Sequence, residues 1–432
     1  MAPGQFEIAP YFEAANVAAD HQQLMMTLMK ATAKKHGFIC LLHEKPFAGV
    51  NGSGKHVNWS VGNPTQGNLL DPGNTPHDNL LFLLFCGAVI RGVHLYGPLL
   101  RAVIATASND HRLGANEAPP AILSVYLGDQ LEKVFNDIKE GKINVTEQGG
   151  EMDLGLSQIL NFDRDPGDRN RTSPFAFTGN RFEFRAVGSS QSVSGPLVAM
   201  NTMLADSLNW IGGKLETELG KGSDQSDAVF AVLKELMDEH GNVVFGGDGY
   251  SAEWHKMAVE ERGLKNIPTT ADALPALREE SVVKLFESTG VLTPVELESR
   301  FEVYAEQYVL SIEVEAKLVI DMAKTMIYPA AIDYLSTLTS TAERSASLGI
   351  SLDSTAASTV AEQANAMMSA VARLSESLAK EGFASTEEHM QHCANEIRSL
   401  MDEVRSAADA LEAEVADELW PLPKYQEMLF IK

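Results

Sequence analysis

The chain has 432 residues, of which 44% are hydrophobic and 22% charged, as in a globular protein of about two or three domains rather than a disordered chain. Its formal net charge of −25 argues against general binding to nucleic acid, whose phosphates attract Lys and Arg. The three cysteines, Cys40, Cys86 and Cys393, have no CxxC spacing, so neither a disulfide framework nor a cysteine zinc site is expected, and a reducing compartment fits.

No membrane span or targeting segment is expected. The longest apolar run, residues 80–90, is far shorter than the roughly 20 residues that cross a bilayer, and it is followed by Arg91. The first ten residues lack a basic start followed by an apolar core, and they are not an Arg-rich leader. These patterns predict a cytoplasmic protein.

The first half of the chain mixes helix and strand patterns. Periodic apolar residues predict a helix over 11–36, closed by Gly37, and a largely buried helix over 78–107. Strands are predicted from an apolar run or from alternation of polar and apolar residues over 38–46, 56–62 and 181–187.

From about residue 195 the strand patterns fade, and the sequence is helical in pattern to its end. This shift predicts two domains, 1–215 and 216–432. Thr293, Pro294 and Glu296 form a capping box that opens a helix running past residue 320.

A helical hairpin is predicted near the end of the chain, at about 352–419. Residues 352–381 form its first helix, which Gly382 ends, and Ser385 with Glu388 caps the second, residues 386–419. Apolar residues repeat in the second helix with heptad-like spacing, namely at Ile397, Met401, Val404, Ala408, Leu411, Val415 and Leu419. Core packing explains this seam more simply than a partner-binding surface does.

A glycine-rich segment at 43–60 carries the first candidate chemistry. Glycines at 49, 52 and 54 allow tight turns and close approach to a small polar ligand. On the strand that follows, His56 and Asn58 share one face, where imidazole could bind a metal. A lone strand histidine is more often structural, and the GxxxxGK[ST] pattern of a phosphate-binding P-loop is absent.

A second candidate site lies at Arg181, Glu183 and Arg185, which share one strand face. Two guanidiniums keep the carboxylate ionised, which suits a divalent cation, and the arginines offer planar forks for carboxylate or phosphate. The alternative is a cross-strand ladder of ion pairs. Five arginines between 164 and 185 could likewise form an anion site or a solvated surface.

Together these segments resemble one family. GQFE at 4–7, KPFAGVNGSGKHVNWS at 45–60, RLGANEAPP at 112–120, RNR at 169–171 and RFEFR at 181–185 follow the order of the catalytic motifs of glutamine synthetases. Lys55, the wording RTSPFAFTGNRFEFR and the terminal LWPLPKYQEMLFIK resemble the type III enzymes, and the resemblance covers the whole chain. It implies an α+β fold in which a curved antiparallel sheet with outer helices is followed by a mostly helical region.

The resemblance implies an ATP-dependent ligase. In this family the γ-carboxylate of glutamate takes the γ-phosphoryl group of ATP, and ammonia then displaces phosphate from γ-glutamyl phosphate. Two Mg²⁺ or Mn²⁺ ions serve the reaction, with oxygen and imidazole donors that suit them. Stacked hexameric rings are implied for the complete subunit, and neither nucleic acid nor a membrane is an expected partner.

The family's roles carry over to matching positions. Glu7 resembles a ligand of the first metal, and His56 and Glu183 resemble ligands of the second. Arg171 resembles the arginine that meets the transferred phosphoryl group, and Glu117 the glutamate that closes the site and takes a proton from ammonium. The glutamate-binding positions correspond to Asn51, Gly52, Arg112 and Arg185, and the ATP-binding positions to Asn58, Ser60 and Arg181.

The chain also departs from the family pattern. Asn58 stands where many members have a second histidine, and Ala176 where many have an arginine. Both changes resemble type III usage. The β-grasp domain and three further metal-binding glutamates are expected before Met1 but are not within these residues. Negligible activity is therefore expected of this chain alone. The alternatives are a non-catalytic assembly or regulatory module of glutamine synthetase rings and a related ligase with another substrate.

Overall fold

The computed structural model describes residues 4–73, 75–142, 172–424 and 427 in full, and 151–152 and 162–163 by their backbone. The chain forms two compact units, which divide between Phe301 and Glu302. The last described strand ends at Gly188, well before that division.

A small mixed sheet lies in the first unit. Its strands are hydrogen-bonded in the order β1-β8-β7-β4, and β2 with β3 and β5 with β6 form two further pairs. The strands are β1 Gly54–Trp59, β2 Gly62–Asn63, β3 Gly67–Asn68, β4 Val125–Tyr126, β5 Glu151–Met152, β6 Phe162–Asp163, β7 Phe175–Phe177 and β8 Phe182–Gly188. The predicted α+β class is confirmed. β4 pairs with β7 in parallel, however, so the sheet is not wholly antiparallel as expected.

The rest of the described part of the first unit is largely helical. The first unit contains α1 Ala15–Lys35, α2 Leu80–Ala102, α3 Ala107–Arg112, α4 Asp129–Lys139, α5 Ser194–Gly220, α6 Gln225–His240, α7 Ala252–Glu260, α8 Thr270–Ala273, α9 Glu280–Ser288 and the start of α10 Pro294–Met322. α2 packs against α5 and α6. By length and composition α2 is long and apolar enough to cross a bilayer, although the apolar run over 80–90 did not indicate this. Most of α2 is buried, as in the core helix of a globular domain.

Most predicted elements of the first unit are confirmed, but one strand is wrong. The predicted helix 11–36 is α1, and the strands at 56–62 and 181–187 correspond to β1 and β8. The predicted helix 78–107 ends at Ala102, and α3 follows after a break. Residues 38–46 form no strand, because a strand needs a partner, and an apolar run ending in proline does not specify one.

The second unit is helical in its described part. After α10 and a π-helical turn, Ala323–Ile327, it contains α11 Tyr328–Ser347, α12 Thr355–Leu378, α13 Thr386–His392 and, after a second π-helical turn, α14 Arg398–Glu414. The predicted capping box at the start of α10 is confirmed, since Thr293 N donates to Glu296 Oε2 at 2.8 Å and Glu296 N donates to Thr293 Oγ1 at 3.3 Å.

The predicted hairpin is confirmed as well. α12 packs on α14, and the pairs Arg373 with Glu403 and Ser377 with Glu396 show that the two helices run antiparallel. Ser385 caps α13 by accepting from Glu388 N at 3.1 Å. The predicted seam is buried from Ile397 to Val415 apart from the partly exposed Met401, whereas Leu419 is 36% exposed.

Candidate functional site

The antiparallel pair β1 and β8 brings the predicted metal and nucleotide residues together. Asn58 lies opposite Glu183, and Trp59 lies opposite Phe182. Side chains alternate between the two faces of a strand, so Phe182 and Phe184 are buried in the core while Glu183 faces the other side. The register therefore places the polar residues of both strands on one surface.

His56, Glu183 and Arg185 form a hydrogen-bonded chain on that surface. Glu183 Oε1 lies 2.9 Å from His56 Nδ1, and Arg185 Nε donates to Glu183 Oε2 at 2.9 Å. Burial alone would raise the pKa of Glu183, but the hydrogen bond from His56 and the charge of Arg185 outweigh it and lower the pKa to about 2. The carboxylate is therefore ionised at neutral pH.

The depressed pKa of Glu183 predicts a stability effect. Glu183 has a folded pKa of about 2 and a usual value of 4.5, so its contribution is complete above pH 4.5 and is lost as the pH falls toward 2. Urea unfolding of wild type and Glu183→Gln should therefore differ most near neutral pH, and the difference should shrink at pH 3. A difference that stays constant from pH 7 to pH 3 would contradict this assignment.

Imidazole and an ionised carboxylate fit the chemistry of a Mg²⁺ or Mn²⁺ site. His56 is half exposed and Glu183 is 15% exposed, so both are accessible from one side. Two side chains form only part of a coordination shell. Within the described residues, no group of three or more His, Cys, Asp or Glu side chains is arranged to hold a metal ion.

The nucleotide-side residues lie at the far end of β1. Arg181 Nε donates to Asn58 Oδ1 at 3.0 Å, and Arg181 also donates to Asn180 Oδ1 at 3.0 Å. Ser60 is exposed immediately after β1. The three predicted ATP contacts, Asn58, Ser60 and Arg181, are thus solvent-accessible at one end of the strand pair.

Arg112 is buried and bonded to the protein backbone, unlike an arginine that only binds a ligand. It lies at the C-terminal end of α3, only 4% exposed, and donates to the backbone oxygens of Arg185 at 2.9 Å and Val187 at 3.3 Å. Burial lowers its pKa to about 10, although the charge of Glu44 opposes this. Arg112 therefore ties α3 to β8 beside the predicted glutamate position.

The glycine-rich loop, residues 48–55, fits closely around Arg112. A Cβ on Gly52 would lie 2.5 Å from Glu44 O and 3.0 Å from Arg112 Cγ, and a Cβ on Gly54 would overlap the Arg112 guanidinium. Only glycine leaves room for the backbone of Glu44 at position 52 and for the arginine at position 54. Gly52 is thus closely approached by Glu44 and Arg112 of the protein itself, and its close approach to a ligand stays a prediction.

Asn51 and Glu117 connect this loop with the segment after α3. Asn51 Nδ2 donates to Glu117 Oε2 at 2.7 Å. Asn116 and Glu117 have φ values of 52° and 65°, in the left-handed region that residues other than glycine seldom occupy. Such strain of about 1–3 kcal/mol per residue often accompanies functional sites. The arrangement sets an exposed carboxylate beside the loop that is predicted to bind glutamate.

Two predicted residues are not part of this group. Glu7 is exposed in the segment before α1, and within the described residues no hydrogen bond or ion pair joins it to the other predicted ligands. Arg171 lies outside the described residues. The roles of both remain predictions.

Sequence reasoning missed Glu44, which is fully buried beside the glycine-rich loop. Its Oε1 accepts from Ser190 N at 2.9 Å and from Ser190 Oγ at 2.7 Å. The available signal was a charged residue in a run otherwise rich in apolar residues, 38–46, which was taken for a strand end. Asn109, fully buried and bonded to Ile104 O and Ala186 O, was missed for want of any local pattern.

Two family models match parts of the chain. Residues 1–122 match the catalytic domain of glutamine synthetase, and residues 228–346 match the glutamine synthetase C-terminal domain. The chain belongs to the glutamine synthetase family.

Within this family the resemblance to type III enzymes is confirmed over the whole chain. The chain is 43% identical to the type-3 glutamine synthetase of Dictyostelium discoideum, 40% to the glutamine synthetase of Bacteroides fragilis and 38% to that of Butyrivibrio fibrisolvens. All of the chain is covered in each case, but it spans only 60%, 61% and 61% of these relatives.

Proposed function

We propose that this chain carries the substrate-binding face of a ligase that joins ammonia to glutamate with ATP, forming glutamine. The observation that carries the proposal is the ionised Glu183, held between His56 and Arg185 on the strand pair that also bears Asn58 and Arg181. The similarity of the whole chain to named glutamine synthetases supports the same substrates.

In the proposed reaction an oxygen of the glutamate γ-carboxylate attacks the γ-phosphorus of ATP, and ADP leaves. Ammonia then attacks the acyl carbon of γ-glutamyl phosphate, and inorganic phosphate leaves with the bonding electron pair. Arg185 and Asn51 orient the amino acid, and Arg112 holds the backbone of β8 in place beside them. Arg171 balances charge on the phosphoryl group. Glu117 takes the proton that ammonium must lose.

ATP and two divalent cations, Mg²⁺ or Mn²⁺, are the proposed cofactors. His56 and Glu183 would hold one cation, and Glu7 would be a ligand of the other. Both cations would neutralise phosphate charge. Asn58, Ser60 and Arg181 would contact the nucleotide from the outer end of β1. A cytoplasmic homo-oligomer of stacked hexameric rings is the proposed assembly, with neither a membrane nor nucleic acid as a partner.

Phosphate release from ATP in the presence of glutamate, ammonium and Mg²⁺ tests the proposal. The assay should compare this chain with the protein extended upstream through its genomic reading frame. Turnover is expected only in the extended protein, because Glu7 is the single proposed ligand of the first cation in this chain. Omission of glutamate is the matched control and should abolish release.

Each outcome separates the alternatives. Turnover by this chain alone would overturn the expectation of negligible activity. If neither protein turns over, the ligase proposal fails, and a non-catalytic assembly module becomes the better account. Glutamate-independent turnover that responds to another amino acid would favour a related ligase.

A further inference from the structure

The turn at the end of β8, residues 188–191, is held by two charged side chains from elsewhere in the chain, the half-buried Lys55 and the buried Glu44. Lys55 on β1 donates through Nζ to the backbone oxygens of Gly188 at 3.3 Å, Ser189, and Gln191 at 2.7 Å. Glu44 accepts from both the backbone N–H and the hydroxyl of Ser190. Lys55 thus holds three residues of the turn through their carbonyls, and Glu44 holds the fourth, Ser190.

The carboxylate of Glu44 interacts electrostatically with Lys55 and also with Arg112. Burial lowers the pKa of Lys55 to about 8, while the charge of Glu44 raises it. Glu44 also opposes the lowering of the pKa of Arg112 by burial. Glu44 is therefore a shared counter-charge for two cations, the half-buried Lys55 and the buried Arg112. Removing such a counter-charge leaves the cations uncompensated.

Glu44 links the turn to the glycine-rich loop by its side chain and its backbone together. Glu44 O accepts from Ser53 N at 2.7 Å, and it is the nearest atom to a Cβ placed on Gly52. On the other side, a Cβ on Gly188 would overlap Glu44 Oε1. Glu44 therefore contacts the loop through its backbone oxygen and the turn through its side chain.

We infer that Glu44 and Lys55 are positioning residues, which fix the turn 188–191 and thereby the places of Asn51 and Arg112 at the glutamate side of the site. The inference rests on the proposed function. Their contacts lie at the Gly54 and Gly188 end of the strand pair, whereas Asn58 and Arg181 lie at the opposite end. Loss of either residue therefore affects glutamate more than ATP.

The test uses Glu44→Gln, Lys55→Met and the double variant. Glu44→Gln retains an acceptor for Ser190 and removes only the charge, and Lys55→Met retains chain length and removes the donor. The matched control is Glu218→Gln with Lys221→Met, an ion pair of the same chemistry at the C-terminal end of α5. Steady-state kinetics are measured in whichever protein of the phosphate-release assay turns over.

The KM for glutamate is expected to rise about tenfold or more in each single variant, while the KM for ATP stays within about twofold. The double variant should be less impaired than the product of the single effects, because the loss of Glu44 then leaves one uncompensated cation, Arg112, instead of two. An equal rise in both KM values, or a loss of thermal stability without a change in either KM, would overturn the inference.

Hydrogen–deuterium exchange gives a second measurement that needs no activity. In Glu44→Gln and Lys55→Met, peptides covering residues 48–56 and 186–193 should exchange faster than in wild type, and the control pair should leave them unchanged. Unchanged exchange in both segments contradicts the inference. If wild type releases no glutamate-dependent phosphate, the ligase proposal fails separately, and exchange still decides whether the two residues hold the turn and the loop.

Discussion

Replacement of Arg101 by methionine is expected to lower the free energy of unfolding by ~3–5 kcal/mol, the typical cost of breaking a buried ion pair. Arg101 is fully buried in α2, and its Nη2 lies 2.8 Å from Asp110 Oδ1. It also donates through Nε to Ile267 O at 2.9 Å. Asp110 in turn accepts from Thr270 N at 2.7 Å. The substitution therefore leaves a buried carboxylate and a backbone carbonyl without their cation.

Urea unfolding followed by tryptophan fluorescence measures this effect. Arg405→Met is the matched control, because Arg405 forms an exposed pair with Asp409 and should change stability by less than about 0.5 kcal/mol. Adding Asp110→Asn to Arg101→Met should recover part of the loss, since the uncompensated charge is gone. A loss below about 1 kcal/mol for Arg101→Met would mean that the pair contributes little.

The second large effect is expected on catalysis. Glu183→Gln should lower kcat in the active protein by about 10²–10³-fold, the range found when one preorganised electrostatic group is removed. An amide keeps the shape of the side chain but lacks the charge that pairs with Arg185 and suits a divalent cation. The measurement is glutamate-dependent phosphate release at saturating substrates.

Glu298→Gln provides the comparison for this variant. Glu298 is also an arginine-paired carboxylate of the first unit, with Arg278 as its partner, but it lies outside the site. Its replacement should leave kcat unchanged. Full activity in Glu183→Gln, or an equal loss in Glu298→Gln, would remove Glu183 from the proposed metal site.

Local patterns in the sequence predicted several of the elements. Alternation placed β8, a capping box opened α10, and heptad-like spacing predicted the hairpin of α12 with α14, because each of these depends on neighbours within a few turns or residues. Strand formation by residues 38–46 was predicted wrongly because it depends on a partner distant in the chain. Pairing between distant segments is not encoded in local periodicity.

In the candidate site, too, features set by local patterns were predictable and features set by contacts between distant residues were not. The one-face placement of Glu183 and Arg185 followed from alternation, and the family resemblance indicated His56 as their neighbour. The burial of Arg112 against β8 could not be predicted, since its acceptors lie 73 and 75 residues away in the sequence. The fully buried Glu44 was hidden for the same reason: its side-chain acceptor role depends on Ser190, 146 residues later.

The close packing of Arg112 against Gly52 and Gly54 has an evolutionary consequence. A side chain at Gly54 would occupy the space of the arginine, so a mutation there is tolerated only together with a smaller residue at 112, whereas a side chain at Gly52 would first meet the backbone oxygen of Glu44. A smaller residue at 112 would in turn remove the hydrogen bonds that Arg112 donates to the carbonyls of Arg185 and Val187. Positions 54 and 112, separated by about 60 residues, should therefore be inherited together, and recombination between them should yield proteins that misfold.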